Sequence, residues 1–194
     1  MHNARIAVTA LLALIAGPLV LAHGQAQPNP AAMIATQREA MLPLAIFDGV
    51  WRGPASMVLP SGDKYNATQT ERVGPLLDGS IRVIEGRSYS ADNTLGFSTF
   101  ASISYDPEKK AYTLHSHALG RVGDFPLQVT PNGFVWEFPL GAMTIRYTAV
   151  VKDGVWREIG ESIVPDKDPV RFFEMNLKRV GDTDWPAAGA IAPK

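Results

Sequence analysis

The chain has 194 residues, 46% of them hydrophobic and 9% aromatic, with 18 Lys and Arg against 19 Asp and Glu and no cysteine. This composition suits one globular domain of ordinary size and excludes wholesale disorder, a collagen-like repeat and a disulfide scaffold. Residues 1–26 carry a single charge, Arg5, so their removal leaves 17 basic and 19 acidic groups. A net charge of about −2 offers a polyanion no attraction, and no nucleic-acid partner is expected.

Met1-His2-Asn3-Ala4-Arg5 places one positive charge ahead of an apolar run from Ile6 to Ala16, which Gly17-Pro18 interrupts before Val20-Leu21-Ala22. This pattern predicts a signal peptide over residues 1–26, cut after Ala22 or Ala26. The apolar stretch reaches only about 17 residues even when carried through Gly17-Pro18, short for a bilayer span, and no second segment approaches that length. No membrane span is therefore expected once the leader is removed. Without cysteine there is neither a lipid anchor at the leader nor a structural disulfide. The expected location is the periplasm or, if secreted, the medium. Exported proteins meet no nucleotide pool, and no glycine-rich phosphate loop follows a strand, so no cofactor is called for.

Residues 27–43 form a lead-in. Ala31 to Met41 is rich in helix formers and Pro43 closes the run, which predicts one short helix able to lid or plug something. From Gly49 the helical period disappears. Short β-rich runs follow: Trp51 to Leu59, Lys64 to Val73, Ser80 to Ser90, Leu95 to Tyr105 and Ala111 to Leu119, then Phe125 to Thr130, Phe134 to Leu140, Met143 to Lys152, Val155 to Val164 and Val170 to Val180. Turn chemistry separates them, as at Pro60-Ser-Gly-Asp63, Asp106-Pro107, Pro131-Asn-Gly133 and Asp153-Gly154. Residues 181–194 are expected to be a flexible tail.

Ten consecutive strands joined by hairpins would leave long open edges in a flat sheet, and closure removes them. The predicted fold is all-β, a ten-stranded up-and-down antiparallel barrel over residues 44–180 preceded by one short helix. Ten strands enclose more space than an eight-stranded core fills, so a lumen is expected. A two-layer sandwich is the competing arrangement.

Gly49-Val-Trp51-Arg opens the first strand, and Asn176-Leu-Lys-Arg179 ends the last. With Leu77-Asp-Gly79, Ser104-Tyr-Asp-Pro107, Asn132-Gly-Phe-Val-Trp136 and Gly154-Val-Trp-Arg-Glu158, this layout resembles the calycin superfamily, which includes lipocalins and fatty-acid-binding proteins, and within it an uncharacterised group of secreted bacterial proteins. The resemblance implies a calycin-like barrel in which Arg179 covers Trp51 at the closed end. It implies fold more than function, since calycins bind varied ligands and a few are enzymes. Nitrobindins, ten-stranded members of the same broad class, hold haem iron through a late histidine. No histidine follows His117 here, and that role does not carry over.

With Arg179 inward, alternation places Leu177, Met175 and Phe173 inward too, and Trp51, Gly53, Ala55 and Met57 share the inner face of the first strand. On the fifth strand, Tyr112, Leu114, Ser116 and Ala118 share one face, and Thr113, His115, His117 and Leu119 the other. His115 and His117 stand about 6–7 Å apart on one face, close enough to share a transition metal if Asp124, Glu137 or Glu158 supplied a third ligand. Solvent-facing or hydrogen-bonded histidines are the plainer reading, and no metal is assigned. Fatty-acid-binding relatives hold a carboxylate with buried arginine and tyrosine, and Arg146, Tyr147 and Tyr105 are the nearest such types here. Arg146 outside, with Ile145 and Tyr147 inside, is the competing phase. Glu158 and Glu161 fall on opposite faces and cannot act as a pair. Serines at 98, 102, 104 and 116 lack a nucleophile-elbow motif.

The sequence thus points to a periplasmic or secreted protein binding a small hydrophobic molecule or lipid, with Met57, Tyr105, His115, His117, Arg146, Tyr147, Phe173 and Met175 as candidate contacts and no catalytic residue assigned. An isomerase or hydrolase using His115 or His117 inside the barrel, a haem- or metal-binding barrel, and a structural protein with a filled lumen are the other readings.

Overall fold

A computed structural model describes residues 29–185. The expected leader and the last residues of the tail lie outside them. Helix α1 (Pro30–Met41) starts where the Asn29 side chain accepts the Ala31 amide at 3.0 Å, with Pro30 in the first turn, where its missing N–H costs nothing. Pro43 does not end the helical geometry at once. The chain tightens into a 3-10 turn, Leu42–Phe47.

Ten strands follow: β1 (Gly49–Val58), β2 (Lys64–Leu76), β3 (Ile81–Tyr89), β4 (Leu95–Asp106), β5 (Ala111–Ala118), β6 (Arg121–Thr130), β7 (Gly133–Leu140), β8 (Met143–Lys152), β9 (Val155–Ile163) and β10 (Val170–Gly181). Each pairs antiparallel with its sequence neighbours, and β1 pairs with β10 to close the barrel. The expected all-β, ten-stranded up-and-down barrel with one short N-terminal helix is the fold of the chain, and the sandwich is excluded.

Two strands are longer than their sequence suggests. Leu119 and Gly120 both take positive φ, 53° and 72°, which makes a two-residue turn of the primed kind whose twist suits a hairpin. Arg121 to Asp124, read as loop because of its glycines, therefore pairs with β5 as β6 begins: His117 opposite Val122 and His115 opposite Asp124. Strand β2 likewise runs through Gly74-Pro75, with Gly74 opposite Val83. Gly74 is needed there because a Cβ would lie 2.6 Å from the Trp185 side chain, which packs on the outer wall. The tail thus stays on the barrel at least through Trp185. Asp184 binds Arg72 at 2.9 Å, and the Arg72 guanidinium lies 4.3 Å from the Trp185 ring centre.

One end of the barrel is sealed. Met41, Leu44 and Phe47 are fully buried and enter the core with Trp51, Phe134 and Trp156. Phe47 sits 4.9 Å from both Phe134 and Trp156, and Trp51 meets Trp156 edge-on at 5.9 Å. Each such side chain contributes about 1.5–3 kcal/mol of burial, enough to hold the helix in place as a plug. The Trp51 indole donates to the Phe47 carbonyl at 2.7 Å, tying plug to wall. The expected stack of Arg179 on Trp51 is corrected here. Their Cα atoms pair, but a bulge beside Trp51 turns the guanidinium over Gly49, where it donates to the Asp48 carbonyl at 3.3 Å and to Asp182 at 2.7 Å. The indole face is left to Trp156.

Candidate functional site

Pairing fixes which side chains enter the lumen, because residues directly opposite on neighbouring strands share a face. From buried Trp51 the inner face passes to Glu71, Gly86, Thr99 and Ala118, and from Ala55 to Met175, Glu158, Ala149 and Phe134. Near α1 these inward residues are buried. Toward the opposite end Thr99, Ser116, Phe125, Trp136, Phe138, Tyr147 and Phe173 face inward yet are only half-buried. On a closed wall an inward side chain meets solvent only from the barrel's ends, so the end away from the plug is uncovered and accessible to solvent.

The accessible half carries an aromatic wall. Trp136 and Tyr147 stack in parallel, 4.5 Å apart and 7° from coplanar. Phe125 lies 5.1 Å from Trp136 and 5.2 Å from Phe138, while Phe172 and Phe173 meet Tyr147 at 5.8 and 5.9 Å. Gly160 makes room for this packing: a Cβ there would come within 3.0 Å of Tyr147, Phe172 and Phe173. Phe172 joins because a bulge between Arg171 and Phe173 breaks strict alternation.

Below that wall stand two carboxyl groups that no basic side chain among the described residues neutralises. Glu71 on β2 and Glu158 on β9 are 6% and 9% exposed. Glu71 lies over Gly86, where a Cβ would fall 2.7 Å from one carboxyl oxygen and 2.8 Å from the other, so glycine on β3 creates its space. One oxygen accepts from Gln69 Nε2 at 2.6 Å, and the other, Oε2, is buried without a partner. Burial pushes the Glu71 carboxyl up to about 8, opposed by Gln69 and reinforced by the charges of Glu158 and Glu85. Burial also raises Glu158 to about 7, with the Trp156 and Trp136 indoles drawing it partly back. Trp156 Nε1 nonetheless makes no hydrogen bond of good geometry. Tyr147, buried beside the Glu158 charge, is pushed up to about 12 and stays a neutral phenol.

Of the eight residues expected to touch a ligand, Met57, Tyr147, Phe173 and Met175 face the lumen, with Met57 at its rim, 37% exposed. Tyr105 also points in but belongs to the sealed end, 4.8 Å from Tyr112, whose hydroxyl donates to the Ala40 carbonyl of the plug. His115, His117 and Arg146 stand on the outer wall. Their strands take the phase that buries Leu114 and Ile145, and alternation sends these three outward. Arg146 pairs outside with Glu137 at 2.9 Å. The lumen role expected for these three is corrected accordingly.

Outside, His115 bridges Ser104 and Asp124, its Nε2 2.9 Å from Ser104 Oγ and its Nδ1 2.7 Å from Asp124. Strands β4, β5 and β6 thus assemble a Ser-His-Asp chain on an exposed face. Acyl transfer also needs preorganised donors for the developing oxyanion, and Ser104 lies within a regular strand opposite Thr113 rather than at a turn or helix N-terminus that would gather such donors. Glu85 sits between Arg72 and Arg87, each at 2.6 Å, in a groove of about 490 Å³ that also includes Phe100, His117 and Trp185. Among the described residues no group of three His, Cys, Asp or Glu side chains is placed to hold a metal ion.

Sequence reasoning did not single out Glu71, and named Glu158 only as a possible metal ligand or one of a carboxylate pair. Glu158 was weighed against Glu161 on its own strand, yet Met175, correctly placed inward, stands opposite Glu158 across β9–β10. Glu71 shares its phase with Val73 and lies opposite Trp51, a signal visible only once the register of β1 against β2 is fixed.

No family model matches the chain, and no curated protein matches its sequence. Solved structures do. The crystal structure of Rv2717c from M. tuberculosis matches with a TM-score of 0.52 at 11% identity, covering 74% of this chain and 97% of that one. The S-type phycobiliprotein lyase CPES from Guillardia theta matches with a TM-score of 0.49 at 12% identity, covering 80% of this chain and all of the other. At such identities the likeness to Rv2717c concerns the fold alone.

Proposed function

We propose that this protein is an exported carrier that holds a small, largely apolar molecule in the open half of its barrel. The observation that supports it is the set of inward-facing, half-exposed aromatic side chains at Phe125, Trp136, Phe138, Tyr147 and Phe173. A core meant only for stability would bury such rings, whereas a binding site leaves them for a ligand to cover. A molecule that hides about 300 Å² of apolar surface there gains roughly 7 kcal/mol before the costs of association. The charged leader followed by an apolar run over residues 1–26 supports a periplasmic or secreted location.

Titration with Nile red, a neutral solvatochromic dye, tests the reading. One saturable site with a blue-shifted emission is expected, together with a bound small molecule in native mass spectra of protein purified from its own host. Folded protein that takes up no dye and carries no molecule from its host would overturn it.

A further inference from the structure

We infer that the ligand carries a protonated amine, which enters between the carboxyl groups of Glu71 and Glu158 while its apolar body lies along the Trp136–Tyr147 stack. This rests on the carrier reading and adds the chemical class of the cargo. The supporting geometry has three independent parts. Glu71 Oε2 is a buried polar atom with no hydrogen-bond partner in a residue 94% removed from solvent, and such a group costs free energy until it is paired. Gly86 keeps a space at β3 that any side chain would fill, and the Glu71 carboxyl lies in it. The aromatic wall, stacked face to face at Trp136 and Tyr147, supplies π-electron density that favours a cation over an anion.

The charges facing the pair have one sign. Glu71 feels Glu158 from β9 and Glu85 from the outer face of β3, with the Gln69 amide as its donor. Glu158 faces the Trp156 and Trp136 indoles and the neutral Tyr147 phenol. No guanidinium or ammonium is among them. A fatty acid would bring a third carboxyl group to this place. An alkylammonium brings the missing donors and charge, and on binding it displaces a proton from the pair, whose carboxyl groups titrate at about 8 and about 7. Amine binding therefore strengthens as pH rises from 6 to 8.5, a range in which the amine itself stays protonated. Binding of an acid with the same chain weakens over that range.

The experiment is displacement of Nile red from the full mature protein by dodecylamine, dodecanol and dodecanoate, each below its micellar range, at pH 6 and pH 8.5. At pH 8.5 dodecylamine should displace the dye at a concentration about tenfold or more below dodecanol, with dodecanoate weaker than both. The amine-over-alcohol ratio should fall about tenfold in Glu71→Gln and again in Glu158→Gln, with dodecanol unmoved. Calorimetry in two buffers of different ionisation enthalpy should show proton release with the amine and none with the alcohol. If dodecanol or dodecanoate matches the amine on wild-type protein, the inference fails while the carrier reading stands. If the double variant keeps the amine preference, the inference fails as well. If none of the three competes and the dye does not bind, both fail. The wild-type series decides the matter even if a variant folds poorly.

Discussion

Glu71→Gln isolates the thermodynamic consequence of a buried, poorly solvated carboxyl group. In the folded chain Glu71 holds its proton up to about pH 8, whereas its ordinary value is 4.5. Between those values the folded state binds a proton that the unfolded state releases, so stability falls as pH rises, by about 1.4 kcal/mol per pH unit, and the loss is complete above the folded value. From pH 5 to pH 8 the loss from this residue is about 4 kcal/mol, a large share of the 5–15 kcal/mol typical of a domain. Glu158, raised to about 7, adds a similar slope up to that pH. Groups held below their ordinary values, such as Glu85 and Glu174, contribute stability that is already complete by pH 5 and add no slope above it. Glutamine cannot ionise, and its carbonyl can still accept from Gln69. Urea unfolding followed by tryptophan fluorescence at pH 5, 6, 7 and 8 should therefore give wild-type and variant stabilities that converge or cross. The variant should gain on wild type by about 1 kcal/mol or more per unit between pH 6 and pH 8. A constant difference across that range would refute a buried, proton-holding Glu71, whatever the sign of the offset.

Three further outcomes follow from the same geometry. Gly133→Ala would drive a Cβ to 1.8 Å from the Ala149 carbonyl oxygen, so the β7–β8 ladder must part. A loss of at least about 2 kcal/mol is expected in urea unfolding, and an unchanged midpoint would contradict that register. Arg179→Ala removes the donors to Asp48 and Asp182 at the plugged end; a loss of about 1 kcal/mol and a melting point about 2–4 °C lower should result, whereas no change would mean these bonds are not made in solution. Ser104 should remain unlabelled by a fluorophosphonate probe despite its contact with His115, because it sits within a regular strand with no nucleophile turn to gather oxyanion donors. Stoichiometric labelling lost in Ser104→Ala would establish a hydrolytic site on the outer wall.

The turn residues that made the strands countable are local devices. Asp153-Gly154, with φ of 51° and 73°, forms its hairpin turn from the conformational tolerance of two residues, and any reader of the chain meets the signal. The same locality misleads at Arg121 to Asp124, where Gly123 lies within β6, and at Gly74-Pro75. There glycine serves ladder and packing rather than loop, and the partner that requires it, such as Trp185 over Gly74, is far away in sequence. Met57, Tyr147 and Phe173 face the accessible end and Met175 the buried inner wall, as the buried neighbours on β1, β8 and β10 dictate. On β5 both faces carry plausible apolar and polar members, and alternation within one strand cannot choose between them.

Fold class, strand number and the presence of a plug were therefore properties of the sequence, since turn propensity and period-two patterning act within a few residues. The face taken by His115, His117 and Arg146, and the placement of both Glu71 and Glu158 on the inner wall, were decided by tertiary structure alone. Cross-strand register turns residues 87 positions apart onto one inner wall, and a carboxyl group reveals that it is buried only when every neighbour that excludes water from it is in place.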